Sequence, residues 1–195
     1  MRRAVLLAVL ALAIPISAWA SSSIDLTNQG GTLAGGMSGL TLTGSVLKIF
    51  GSSVGNDLGS VSFTTGAFVT GDAQHGGTLA PGGTFTITGN GTNGVPNGVI
   101  FTGTFTSAEW AIVQPAGGAN GSNTYHLTAT IVGNNGATVI TSQLTFNTGK
   151  GYFNGSIDLA SGDSTLTVPE PGTLGLLGTG LVGLAGLLRR KIRIG

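Results

Sequence analysis

No cysteine occurs in the 195 residues, which removes disulfides, thiol nucleophiles and cysteine-based metal sites together. Charged residues make up only 8% of the chain and aromatic residues 6%. The basic residues crowd the two ends: Arg2 and Arg3 at the start, Arg189, Arg190, Lys191 and Arg193 at the finish. Between them only Lys48 and Lys150 are basic, against Asp25, Asp57, Asp72, Glu109, Asp158 and Asp163. The middle of the chain is therefore mildly acidic although the formal net charge is +1, and a nucleic-acid partner is excluded for want of any basic stripe. His75 and His126 are the only histidines. No sustained helical period appears between residues 21 and 171, and the apolar runs long enough to matter for a membrane lie at the ends.

The residues that are present alternate. Leu40 and Leu42, Val61 and Phe63, Phe85 and Ile87, Tyr125, Leu127, Ala129 and Ile131 are each separated by single residues that are mostly Thr or Ser. This period of two is the pattern of half-buried antiparallel strands, and Thr, Val, Ile, Phe and Tyr are the residues that suit a pleated surface. The breaks are rich in Gly and Asn, and Asn135-Gly136 favours a type I′ hairpin turn. Strands recurring every 8 to 12 residues or so predict an all-β body, an antiparallel β-sandwich or jelly roll of roughly eight to eleven strands over residues 21–168. A closed barrel is an alternative, and no fixed repeat supports a solenoid. Paired glycines mark 28–39 and 70–83 as long loops.

Both ends carry targeting chemistry. Arg2 and Arg3 precede an apolar stretch from Ala4 to Ile16, and Ala18-Trp19-Ala20 has the small-x-small pattern that signal peptidase reads. Residues 1–20 thus form a secretory signal peptide, with cleavage after Ala20 leaving Ser21 as the mature N-terminus. At the other end, Val168-Pro169-Glu170-Pro171 is followed by an uncharged run from Gly172 to Leu188 and then by the basic cluster. As a helix, residues 172–188 rise about 26 Å, slightly short of a hydrocarbon core of about 30 Å, and snorkelling of Arg189 and Arg190 recovers part of the difference. Basic residues after the span place the extreme C-terminus in the cytoplasm and everything before Pro169 across the membrane.

The order of Pro-Glu-Pro, apolar span and basic stop resembles the PEP-CTERM sorting domain of Gram-negative bacteria. The resemblance covers Val168 to Arg193. It implies recognition by an exosortase, a membrane enzyme that processes the tail near the motif. It also implies a transient anchor in the cytoplasmic membrane, then display at the cell surface or in an extracellular matrix rich in exopolysaccharide. Carried over by residue, Pro169, Glu170 and Pro171 are the sorting motif within a 169–195 signal, and Arg189, Arg190, Lys191 and Arg193 are the basic stop.

Other patterns mimic chemistry without its context. Gly89-Asn90-Gly91-Thr92-Asn93-Gly94 matches a dinucleotide fingerprint, but Val95-Pro96-Asn97-Gly98 turns straight into another strand where that motif needs a helix. Gly51-Ser52-Ser53-Val54-Gly55 has the letters of a nucleophile elbow, with Asp57 or Asp72 and His126 downstream, yet lacks the strand-to-helix setting. Ser45 and Lys48 imitate a Ser-x-x-Lys pair, but three residues apart on a strand they face opposite ways. Asp72 and His75 are too few for a metal site and read as solvated loop residues. Trp110, Tyr125 and Tyr152 could form a sugar-stacking platform, although the apolar neighbours of Trp110 favour its burial. The expectation is therefore an exported surface or matrix protein with a structural or adhesive body, without catalytic, cofactor or metal residues. Its partners would be signal peptidase, exosortase, the membrane and exopolysaccharide. A carbohydrate-binding module is the alternative and a secreted hydrolase a more distant one.

Overall fold

The computed structural model describes residues 21–116, 121–145, 148 and 151–169. The signal peptide expected over 1–20, the helix over 172–188 and the basic stop lie outside the described residues, as do Glu170 and Pro171. Ser23–Val168 forms one compact unit.

Eleven strands make a single sheet. They are β1 (Ser21–Gln29), β2 (Thr32–Gly36), β3 (Gly39–Phe50), β4 (Ser53–Val54), β5 (Gly59–Thr65), β6 (Gly77–Leu79), β7 (Gly82–Asn90), β8 (Asn97–Ala116), β9 (Ser122–Gly133), β10 (Thr138–Thr145) and β11 (Ser156–Pro169). Strands β1 and β2 run in series along the same neighbour, β3, and act as one stave. That stave also lies against β11, and the sheet closes on itself. The result is an eight-stave antiparallel barrel, with β4 and β6 as short additions to β3 and β8.

The expected sandwich or jelly roll is thus replaced by a closed meander. Alternation in sequence is satisfied equally by either architecture, because each has one apolar face. Closure is decided by the pairing of the first stave with the last, which no local pattern encodes. It removes the two free edges that an open sheet exposes. The first stave also occupies much of the expected loop over 28–39. Gly30 and Gly31, both at positive φ, bend the chain between β1 and β2. A Cβ at Gly31 would lie 2.5 Å from the Ser45 amide nitrogen, so only glycine lets the stave approach β3 so closely. The β9–β10 hairpin forms where expected, but its turn differs. Gly136 alone has positive φ, and its amide donates to the Gly133 carbonyl at 3.0 Å. That is a type I turn closed by a glycine bulge, which leaves Asn134 and Asn135 in ordinary backbone conformations.

An eight-stranded barrel is just wide enough to be filled by side chains. Phe63, Phe85, Phe101 and Phe105 form one aromatic cluster, with Phe63 set edge-on to Phe105 at 5.7 Å. Trp110 stacks on Tyr125 at 4.9 Å, and Phe153 meets both edge-on. Between the staves of the closing side runs a buried polar ladder. Asn28 Nδ2 donates to Ser45 Oγ at 2.7 Å and to Gln143 Oε1 at 2.9 Å. Gln143 Nε2 donates back to Asn28 Oδ1 at 3.2 Å and to Thr141 Oγ1 at 2.8 Å. Thr141 and Ser164 share a further bond.

Candidate functional site

The two ends of the barrel differ. One end, the terminal rim, gathers the start of β1, the β3–β5 connection, the β7–β8 and β9–β10 hairpins and the end of β11. Leu58, Val95 and Ala137 are buried beneath these loops. The other end is capped by the loop between β5 and β7, which is pinned from below. Trp110 Nε1 donates to the Ala73 carbonyl at 2.9 Å, and the Tyr125 hydroxyl donates to the Gln74 carbonyl at 2.5 Å. The same hydroxyl accepts the Phe153 amide at 2.8 Å. Burial raises the Tyr125 hydroxyl above its ordinary value of 10.0, and the Phe153 amide only partly offsets this.

On top of this cap the exposed Asp72 carboxylate and His75 Nδ1 are hydrogen-bonded at 3.0 Å, and the His75 ring lies 4.6 Å from that of Tyr152. The His75 side-chain bond is the main cause lowering the Asp72 carboxyl, and the His75 and Gln74 amides add to it. Among the described residues no three His, Asp or Glu side chains converge as metal ligands would. Trp110 is buried, as its apolar neighbours led one to expect, and no aromatic platform is assembled: Tyr125 is interior too, and Tyr152 alone of the three lies near the surface.

The hydrolase-like residues are also dispersed. Ser53 Oγ donates to the Asn93 carbonyl at 2.8 Å, whereas His126 on β9 bonds Ser142 on β10. Asp57 Oδ1 accepts the Gly59 amide and the Asn90 side chain. Ser45 faces the core, and Lys48 reaches outward to the Asn56 carbonyl. The glycine fingerprint at 89–94 spans the β7–β8 hairpin loop, and β8 follows it directly.

What the outer wall does present is a hydroxyl grid. Thr41, Thr64 and Thr84 are register partners across β3, β5 and β7. Ser62, Thr86 and Thr102 form the next row across β5, β7 and β8, and Ser60 and Thr88 a third. Neighbouring strands lie about 4.8 Å apart and same-face residues on one strand about 7 Å apart, so the hydroxyls repeat in two dimensions. The residues between them, including Leu42, Phe63, Phe85, Ile87 and Phe101, point inward. No charged side chain interrupts these rows. Sequence reasoning recognised the Thr-rich alternation but not the rows, because register between strands is fixed only by the fold.

Strand β11 leads out of the barrel into the tail. Leu166 is buried and pairs with Val139, Thr167 pairs with Thr138, and Pro169 is exposed at the strand end, where its missing N–H cannot extend the ladder. Thr27 Oγ1 donates to Asp163 at 2.9 Å and Thr165 Oγ1 to Asp25 at 3.1 Å across the closing seam. Both bonds fix one antiparallel register, which sets Ser23 opposite Thr167. The start of β1 and the end of β11 therefore leave the barrel side by side. No curated protein and no solved structure matches this chain. Residues 167–191 match the PEP-CTERM protein-sorting motif. The chain carries that motif, which implies an exported, exosortase-targeted protein with a transient membrane anchor before surface display.

Proposed function

We propose that the barrel is the cargo of this sorting system, a structural or adhesive protein of the cell surface or extracellular matrix that acts by contact rather than catalysis. In this reading signal peptidase releases Ser21. Residues 172–188 then hold the chain in the cytoplasmic membrane with Arg189, Arg190, Lys191 and Arg193 as the stop, and exosortase processes the tail at Pro169-Glu170-Pro171. The observation that carries the contact role is the uncharged hydroxyl grid on β3, β5, β7 and β8. Thr and Ser hydroxyls both donate and accept, as sugar hydroxyls do, and a neutral polysaccharide lying on the wall meets many of them at once. Each hydrogen bond is worth only about 1 kcal/mol net, so binding rests on the number of simultaneous contacts and on several copies acting together. The burial of Trp110 and Tyr125 favours this adhesive surface over a carbohydrate-binding module with a stacking platform. The dispersal of Ser53 and His126 favours it over a hydrolase.

The test is co-sedimentation of the exported protein with exopolysaccharide from the producing cells. Wild type should pellet with the polymer, and a Thr64→Val, Thr84→Val, Thr86→Val triple variant should remain in solution. Equal pelleting of both, or of neither, removes the grid from the account.

A further inference from the structure

We infer that the terminal rim of the barrel is a membrane-contacting surface that rests on the bilayer headgroups while the chain is anchored. The inference rests on the proposed span at 172–188 and extends it to the folded body.

Chain connectivity sets the distance. The ladder holds Thr167 against Thr138, and only Val168, Pro169, Glu170 and Pro171 separate that pair from the apolar run beginning at Gly172. The five steps from Thr167 to Gly172 reach at most about 18 Å when fully extended. The headgroup layer on one side of a bilayer takes up about 6 Å of that length. The Thr167–Thr138 pair is thus held within about 12 Å of the headgroups, about the width of one helix. The start of β1 leaves from the same place, so a leader still attached at residue 20 holds the rim from a second, adjacent point.

Val54 on β4, Val99 near the start of β8, Val132 near the end of β9 and Ile140 near the start of β10 are 68%, 65%, 40% and 58% exposed. Val132 and Ile140 lie diagonally across the β9–β10 pair, since Val132 is the register partner of Thr138. Between these residues the rim loops are mostly Gly, Ser, Thr and Asn. The charged groups there are Asp25, which accepts from Thr165, Asp57, which accepts from Gly59 and Asn90, and Lys48, which donates to the Asn56 carbonyl. Isolated aliphatic residues on a surface need no explanation by themselves. Four of them lie around the rim that the tether holds at the interface, where they add apolar contact. Met37, Val69, Val113 and Leu144 are exposed toward the opposite end, with Val69 in the loop that carries Asp72 and His75, so it is the tether and not apolar exposure that distinguishes the rim. Met37 and Val69 serve as internal controls.

The absence of cysteine supplies the experiment. Single variants Val54→Cys, Ile140→Cys, Met37→Cys and Val69→Cys of the full chain, each carrying one fluorophore, are reconstituted into phosphatidylcholine vesicles that contain a lipid with a nitroxide at its headgroup. The labels at 54 and 140 should be quenched several-fold more than those at 37 and 69. Inserting a ten-residue Gly-Ser linker between Val168 and Pro169 should shrink that difference. Equal quenching at both ends, or disulfide-linked pairs at 54 and 140 without quenching, overturns the inference in favour of a free rim or a second copy. A chain that does not float with the vesicles at all overturns the anchor reading itself, whereas one that floats with an unquenched rim overturns only the contact.

Discussion

Replacing Gly162 by alanine should destabilise the barrel strongly, and removing the Gln143 side chain should cancel most of that effect. Gly162 on β11 faces Gln143 on β10, its register partner. A Cβ at position 162 would lie 2.0 Å from Gln143 Oε1 and 2.3 Å from both Cδ and Nε2. Gln143 is fully buried and bonded in both directions to Asn28, so it cannot move aside without taking the donor from Asn28 Oδ1. Overpacking costs about 1–3 kcal/mol, and an orphaned buried acceptor about 1–3 kcal/mol more. We expect roughly 3 kcal/mol for Gly162→Ala. Gly36→Ala, at a strand position where a Cβ meets nothing within 4 Å, should be neutral or slightly stabilising. Gln143→Ala alone should also cost about 3 kcal/mol through lost bonds and a cavity, although Asn28 keeps Ser45 and Thr141 keeps Ser164. In the double variant the new methyl enters the space the glutamine has left, so the coupling should approach 2 kcal/mol or more. Urea denaturation of protein beginning at Ser21, in which Trp110 is the one tryptophan, measures all four corners. Additivity within about 0.5 kcal/mol would refute the claim that the two residues occupy one space.

Two further outcomes follow from named groups. The Tyr125 hydroxyl binds its proton more tightly in the barrel than in the unfolded chain. Its contribution is therefore complete below the unfolded value of 10.0 and is lost as pH rises through that value toward the folded one. Tyr125→Phe should flatten this alkaline loss while costing about 1–3 kcal/mol at neutral pH, because the Phe153 amide loses its acceptor; stability curves of equal slope above pH 10 would contradict it. Replacing Arg189, Arg190 and Lys191 by glutamine should release the chain from the cytoplasmic membrane fraction before processing, and unchanged fractionation would count against the proposed stop.

The sequence is most informative where a local pattern has one physical solution. Tyr125, Leu127, Ala129 and Ile131 alternate, and all four are buried on β9. Trp110 among aliphatic neighbours is interior. Asn135-Gly136 marks a hairpin, though the backbone uses one left-handed residue where the expected turn needs two. What stays hidden depends on distant partners. Strand β1 has only Ile24 and Leu26 in alternation, and its place in the barrel is set by β3 and by β11, more than a hundred residues away in sequence. The polar ladder was invisible for the same reason. Asn28, Thr141 and Gln143 look like surface residues until closure turns them inward, although Val139, Thr141, Gln143 and Thr145 occupy every inward position of β10. The hydroxyl rows are legible as composition but not as a lattice.

The central claim is that the two ends of the chain are addresses and the barrel is what they deliver. Intact mass spectrometry of protein recovered outside the cells tests it most directly. The account predicts a single species beginning at Ser21 and lacking the apolar run after the Pro169-Glu170-Pro171 motif. Released protein that retains Arg189 to Gly195, or that still begins at Met1, would contradict it.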